Sequence, residues 1–168
     1  MTNLKMYIEQ ICEARERIDS AITSYLKQKA DSDTLVFKDN YLDEDYRINP
    51  ILNKLQCNEN LQRLTMSNCG IGDHYFEQLL GLLTQHRSPV NYLDVSQNEL
   101  TAISMKAFAS YLADNTNSSE LQTVILDKNN LFDEGIREMI NGMIDRFNNL
   151  EKQNFPSSLN FGRMSAQY

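Results

Sequence analysis

The sequence predicts an α/β solenoid in which short parallel strands alternate with helices. Three observations predict it. An eleven-residue frame recurs four times, as SDTLVFKDNYL (32–42), LQRLTMSNCGI (61–71), VNYLDVSQNEL (90–100) and LQTVILDKNNL (121–131). Its starts fall 29, 29 and 31 residues apart. A stretch with helical spacing of apolar residues follows each copy, so every unit reads as strand, turn and helix.

The first element is an amphipathic helix over residues 3–29. Leu4, Ile8, Ile11, Ile18, Ile22 and Tyr25 recur at steps of three, four or seven, and charged residues hold mostly the other face. Thr2 or Asn3 is its expected N-cap. This helix (1–31) is the candidate cap for one end of the array; docking of its apolar stripe on a partner is the alternative.

Within each frame, positions 4 and 6 differ by two, so both point to one side of an extended segment. The pairs are Leu35/Phe37, Leu64/Met66, Leu93/Val95 and Val124/Leu126. Position 11 (Leu42, Ile71, Leu100, Leu131) continues the core after the chain turns. Position 9 makes that turn. Asn40, Asn98 and Asn129, with Cys69 in the second unit, form an expected structural ladder whose amides satisfy backbone groups of adjacent turns.

The helical halves follow in order. In the first unit, Pro50 predicts a helix from Asn49 with Pro50 in its first position, burying Ile51, Leu52 and Leu55. The second has Phe76, Leu79, Leu80 and Leu83 after Asp73. The third has Ile103, Ala107, Phe108, Tyr111 and Leu112 after Thr101. The fourth has Ile136, Met139, Ile140, Met143, Ile144 and Phe147, with Asp133 as N-cap. Beyond 149, a short strand at 158–161 would put Leu159 and Phe161 in positions 4 and 6, and the rest of 150–168 reads as a second cap or tail.

The frame LxxLxLxx(N/C)xL with a helical half resembles the leucine-rich repeats of the ribonuclease-inhibitor-like class. SNCGIGD at 67–73 and NNLFDEG at 129–135 resemble it most. Ser32 in place of an apolar first residue is a departure, as is the family's glycine after position 11, which is present only as Gly135. The resemblance covers residues 32–148 and implies a right-handed, short horseshoe with strands on the concave face and helices on the convex face.

Composition bounds the function. The net charge of −7 argues against nonspecific binding to nucleic acid or anionic membrane. The stretch from Leu79 to Leu83 is too short to span a bilayer. Cys12, Cys57 and Cys69 are an odd set, read as free thiols in a reducing compartment. No signal peptide, phosphate-binding loop, nucleophile elbow or zinc spacing is legible, so no enzyme, cofactor or metal is expected. Cys57, Cys69 and His74 match no common ligand pattern, and His86 is the remaining histidine.

The resemblance implies a protein partner on the concave face. Outward positions 3, 5 and 7, with 8 at the rim, supply the candidates Lys38, Arg63, Thr65, Tyr92, Asp94, Ile125, Asp127 and Lys128. Arg63 and Tyr92 are of the types enriched at hot spots. The expected function is a monomeric, non-enzymatic interaction module, cytoplasmic or secreted into a host cytosol. The richness in Asn and Gln resembles that of proteins from bacteria with AT-rich genomes, where a short protein of this family is similar to an effector acting on a host protein. The alternative is an enzyme regulator such as a small-GTPase activator, which would act through Arg63 and Asn68.

Overall fold

A computed structural model describes residues 2–29, 31–43, 45–85, 90–114, 120–152 and 160–161. The side chains of Leu4, Ile8, Ile11, Cys12 and Ile18, and the whole of His86 and Leu159, lie outside the described residues. The elements are α1 (Thr2–Gln28), β1 (Thr34–Lys38), α2 (Asp45–Cys57), β2 (Arg63–Ser67), α3 (Asp73–Gln85), β3 (Tyr92–Asp94), α4 (Ala102–Ala113), β4 (Thr123–Ile125), α5 (Phe132–Lys152) and β5 (Asn160–Phe161).

The strands form one parallel sheet in sequential order, β1 to β5. Equivalent frame positions stand side by side: Leu35 pairs with Leu64, Leu64 with Leu93, and Leu93 with Val124. Successive helices pack on one another from α1 to α5. Parallel neighbours need a crossover, and here each crossover is the helix of the unit.

One face of the sheet is buried. The pairs at positions 4 and 6 are all within 2% of full burial, and Leu42, Ile71, Leu100 and Leu131 extend the same core. Burying such a side chain stabilises by about 1.5–3 kcal/mol, which sets the strand register, since a slip of one residue would turn the row to water.

Six expectations change. Thr2 and Asn3 both lie within α1 rather than before it. Helix α2 begins at Asp45 instead of Asn49, and Pro50 lies inside it. The turn before Pro50 is held from outside the helix, which offsets the one hydrogen bond proline removes. Arg47, only 6% exposed, donates from Nη1 to Tyr41 O at 3.0 Å and sets Nε 3.5 Å from Asp19, while Ile48 joins the core.

In α4, Ile103 is exposed and Ser104 and Met105 are buried instead. The wide apolar arc of this helix left its rotation open, and the anchoring of Ser104 described below fixes it.

In α5, Met139 is fully buried, and Ile136 and Met143 pack partly on the core. Ile140, Ile144 and Phe147 are exposed, at 44%, 51% and 46%. They lie on the flank away from α4, where no described helix follows. The face toward α4 is fixed by close approach. A Cβ on Gly142 would meet the Ala109 Cα, and would lie 2.7 Å from its Cβ and 2.9 Å from its carbonyl oxygen. Asp133 stands in the first turn of α5 rather than capping it.

Finally, β5 pairs Asn160 with Thr123 and Phe161 with Val124, so Phe161 occupies position 4 of a fifth frame rather than position 6.

Candidate binding face and the turn ladder

The face of the sheet opposite the core has two rows. Position 3 aligns Thr34, Arg63, Tyr92 and Thr123, and position 5 aligns Val36, Thr65, Asp94 and Ile125. Arg63 and Lys38 are exposed and Val36 is 46% exposed. Thr65, Tyr92, Asp94, Ile125 and Asp127 are half-buried. Val36 belongs with this face, and its place at position 5 was the signal for it.

Arg63 and Tyr92 stand directly opposite in register, and the guanidinium carbon lies 3.8 Å from the centre of the Tyr92 ring. Such a cation–π contact stabilises by about 0.5–1 kcal/mol at an exposed site. Partial burial pushes the Tyr92 phenol upward, Asp94 adds to that, and Arg63 opposes it. The ring therefore stays neutral across the physiological range.

Position 7 is not uniformly outward. Lys38 is exposed, but Ser67 and Ser96 are buried and Asp127 is half-buried. Asp94 Oδ1 accepts from Ser96 N at 3.0 Å. Asp127 Oδ1 is buried with no hydrogen-bond partner among the described residues. The cause is the next residue. Asp39, Asn68, Gln97 and Lys128, all at position 8, have φ of 57°, 53°, 56° and 56°. Each frame thus bends through a left-handed residue, which Asn and Asp adopt more readily than most. Lys128 consequently belongs to the turn edge, apart from the sheet rows. Asn68 belongs there too, and its amide donates to Asp39 Oδ1 at 2.7 Å.

Position 9 lies behind that bend. Asn98 Oδ1 accepts from Cys69 N and Ile71 N, both at 3.0 Å. Its Nδ2 donates to Met66 O, Val95 O and Ser96 O at 2.8, 2.9 and 3.1 Å. Asn129 repeats this toward Leu100 N, Val95 O and Leu126 O at 3.1, 3.0 and 2.9 Å. Cys69 donates its thiol to Ser67 O at 3.3 Å and Phe37 O at 3.4 Å. Burial pushes that thiol up to about 11, helped by Asp39 and Asp94 and opposed by the Asn40 backbone N–H. It stays protonated and is a poor nucleophile. Asn40 is half-buried and donates to Lys38 O at 2.9 Å.

A link between units was not read from the sequence. The Asp73 carboxylate, in the first turn of α3, accepts from Thr101 N at 2.8 Å and Thr101 Oγ1 at 2.7 Å. It also accepts from Ser104 N at 3.3 Å and from the Ser104 hydroxyl. Thr101 in turn caps α4 by accepting from Ile103 N. Burial alone would raise the Asp73 pKa; the hydrogen bonds from Ser104 and Thr101 outweigh it and hold the carboxyl below its ordinary value.

No family model matches the chain, and no curated protein matches it. A solved structure, the tropomodulin C-terminal domain of Caenorhabditis elegans, is similar with a TM-score of 0.51 and 12% identity. The match covers 82% of this chain and 97% of that one. At that identity the likeness carries the fold alone. It also corrects the resemblance drawn from the sequence: the ribonuclease-inhibitor-like class is not what the comparisons return, and the α/β fold with its parallel sheet is the level they support. No described helix is long and apolar enough to cross a membrane.

Proposed function

We propose that the chain is a short leucine-rich-repeat solenoid acting as a non-enzymatic interaction module, with a protein bound on the sheet face opposite the core. The observation that carries this reading is the contrast between the two faces of the sheet. Across the frames, the core face repeats apolar residues. The opposite face stays open and does not repeat, and it presents a stacked Arg63–Tyr92 pair beside Val36, Ile125 and Asp94. An aromatic and an arginine among aliphatic and charged neighbours match the make-up of protein interfaces. In this reading the face is concave, α1 caps the β1 end, and the protein works in a reducing cytosol, its own or a host's. The exposed free thiol of Cys57 suits that compartment.

The enzyme-regulator alternative draws on no observation of its own. Arg63 is stacked on a ring, and the Asn68 amide is engaged by Asp39. A pull-down with the native chain and with Arg63→Glu/Tyr92→Ala tests the reading. The native chain should retain proteins that the variant loses while both keep the same circular dichroism. An identical captured set would sink it.

A further inference from the structure

We propose that the Arg63–Tyr92 stack receives a carboxylate of an extended peptide segment, whose neighbouring basic side chain lies over Asp94 and Asp127. This rests on the binding reading above and adds the chemistry of the partner.

Stacking uses only the flat face of a guanidinium. Its five N–H donors lie in the plane and point outward. Arg63 is exposed, and among the described residues its guanidinium makes no hydrogen bond or ion pair. Its orientation is already fixed by the Tyr92 ring, so little side-chain entropy remains to be lost when an anion binds. A carboxylate fits this fork with two parallel hydrogen bonds.

The neighbours decide against a phosphate. Flanking residues in the row of Arg63 are Thr34 and, beyond Tyr92, Thr123, which supply hydroxyls and no second cation. The adjoining row brings Asp94, a negative charge. The single guanidinium balances a monoanion, and the Asp94 carboxylate beside it would repel the second charge of a dianion, which has no cation in this row to meet it.

The acidic side of the face asks for the opposite charge. Asp94 is half-buried with one oxygen engaged by Ser96 N, and the half-buried Asp127, whose Oδ1 lies beneath the surface, adds a second negative charge behind it. Asp94 lies one strand over and two residues along from Arg63. From the spacings of a sheet that is about 8 Å. An extended peptide turns every second side chain the same way, at roughly 6.8 Å per pair. The acid and the base should therefore stand two or four residues apart.

The test is to pan a phage-displayed random peptide library against the full chain and to synthesise the enriched peptides. The expected sequences carry Asp or Glu with Lys or Arg two or four residues away. Replacing that acid by its amide, or making Arg63→Glu in the protein, should each weaken binding about tenfold or more, the loss of a charge-assisted pair. A peptide with the acid changed to Lys should bind Arg63→Glu better than the native chain. Circular dichroism of Arg63→Glu should be unchanged, since the side chain is exposed. Enriched peptides that need no acid, or that bind Arg63→Glu equally, overturn the inference but leave the binding reading standing if Tyr92→Ala or Ile125→Glu abolishes their binding. Tighter binding of a phosphoserine peptide in place of the acid overturns the choice of carboxylate. Enrichment of no peptide overturns both.

Discussion

Asp73 shows how a single side chain joins two units. Its carboxylate stands in the first turn of one helix and fastens Thr101 and Ser104 at the start of the next. Loss of a cap of this kind costs about 1–2 kcal/mol. Because its folded pKa is lowered, its stabilisation is fully present above the ordinary value of 3.8 and is lost as pH falls through the lower folded value. Asp73→Asn should thus be destabilised at pH 7, and the gap to the native chain should close in urea titrations carried down toward pH 2. A gap of constant size over that range would show that the charge is not what matters. The sequence marked both Asp73 and Thr101 as helix starts. It held no sign of the bond between them, because a contact across 28 residues leaves no local pattern. Position 9 was more legible: an amide recurring at one place in three of the four turns has few other uses. Position 8 was legible in principle, since Asp39 and Asn68 are types that tolerate positive φ, but Gln97 and Lys128 obscure the pattern.

Elements were read better than their rotations. Strand faces follow from a period of two, which allows only two answers, and the buried pairs leave one. A helix offers a continuous range. In α5 apolar residues span a wide arc, and hydropathy alone could not separate Met139, buried, from Ile140 and Ile144, exposed. The deciding residues are small ones. Gly142 lets α5 approach Ala109 of α4 so closely that a methyl group would strike backbone. Gly81 in α3 is the opposite case, with nothing within 4 Å of the space a methyl would fill. Alanine is better than glycine in a helix interior by about 1 kcal/mol. Gly81→Ala should therefore stabilise by up to about that amount. Gly142→Ala should lose more than it gains and destabilise by roughly 1–3 kcal/mol, the cost of overpacking. Thermal melts of the two variants check this, and shifts of the same sign would refute the assigned crossing. The start of α2 was misplaced for a related reason: Pro50 signals a boundary locally, and the support that overrides it comes from Arg47 reaching Tyr41 and Asp19.

For the whole molecule, the arrangement of contacts predicts how it comes apart. Each strand pairs with its sequence neighbours and each helix packs on the next, so stability should couple unit to unit rather than across the molecule. At the β1 end, α1 packs beside the first strand. Ile22 and Leu26 are buried there, the Tyr25 ring meets Phe37 edge-on at 5.4 Å, and the Tyr25 hydroxyl accepts from Val36 N at 2.9 Å. That last bond occupies a main-chain donor on the open edge of the sheet, where an unpaired strand would recruit another chain. Truncating Ile22 and Leu26 to alanine removes side chains whose loss costs about 2–5 kcal/mol each in a core. The effect should stay local. Amide hydrogen exchange of Ile22→Ala/Leu26→Ala should show lost protection in α1 and β1, a smaller loss in β2, and little change in β3 and β4. Leu93→Ala, in the middle strand, should instead lower protection in β2, β3 and β4 together. A uniform loss across all strands in the first variant would mean that the sheet unfolds as one body, and the unit-to-unit description would have to be given up.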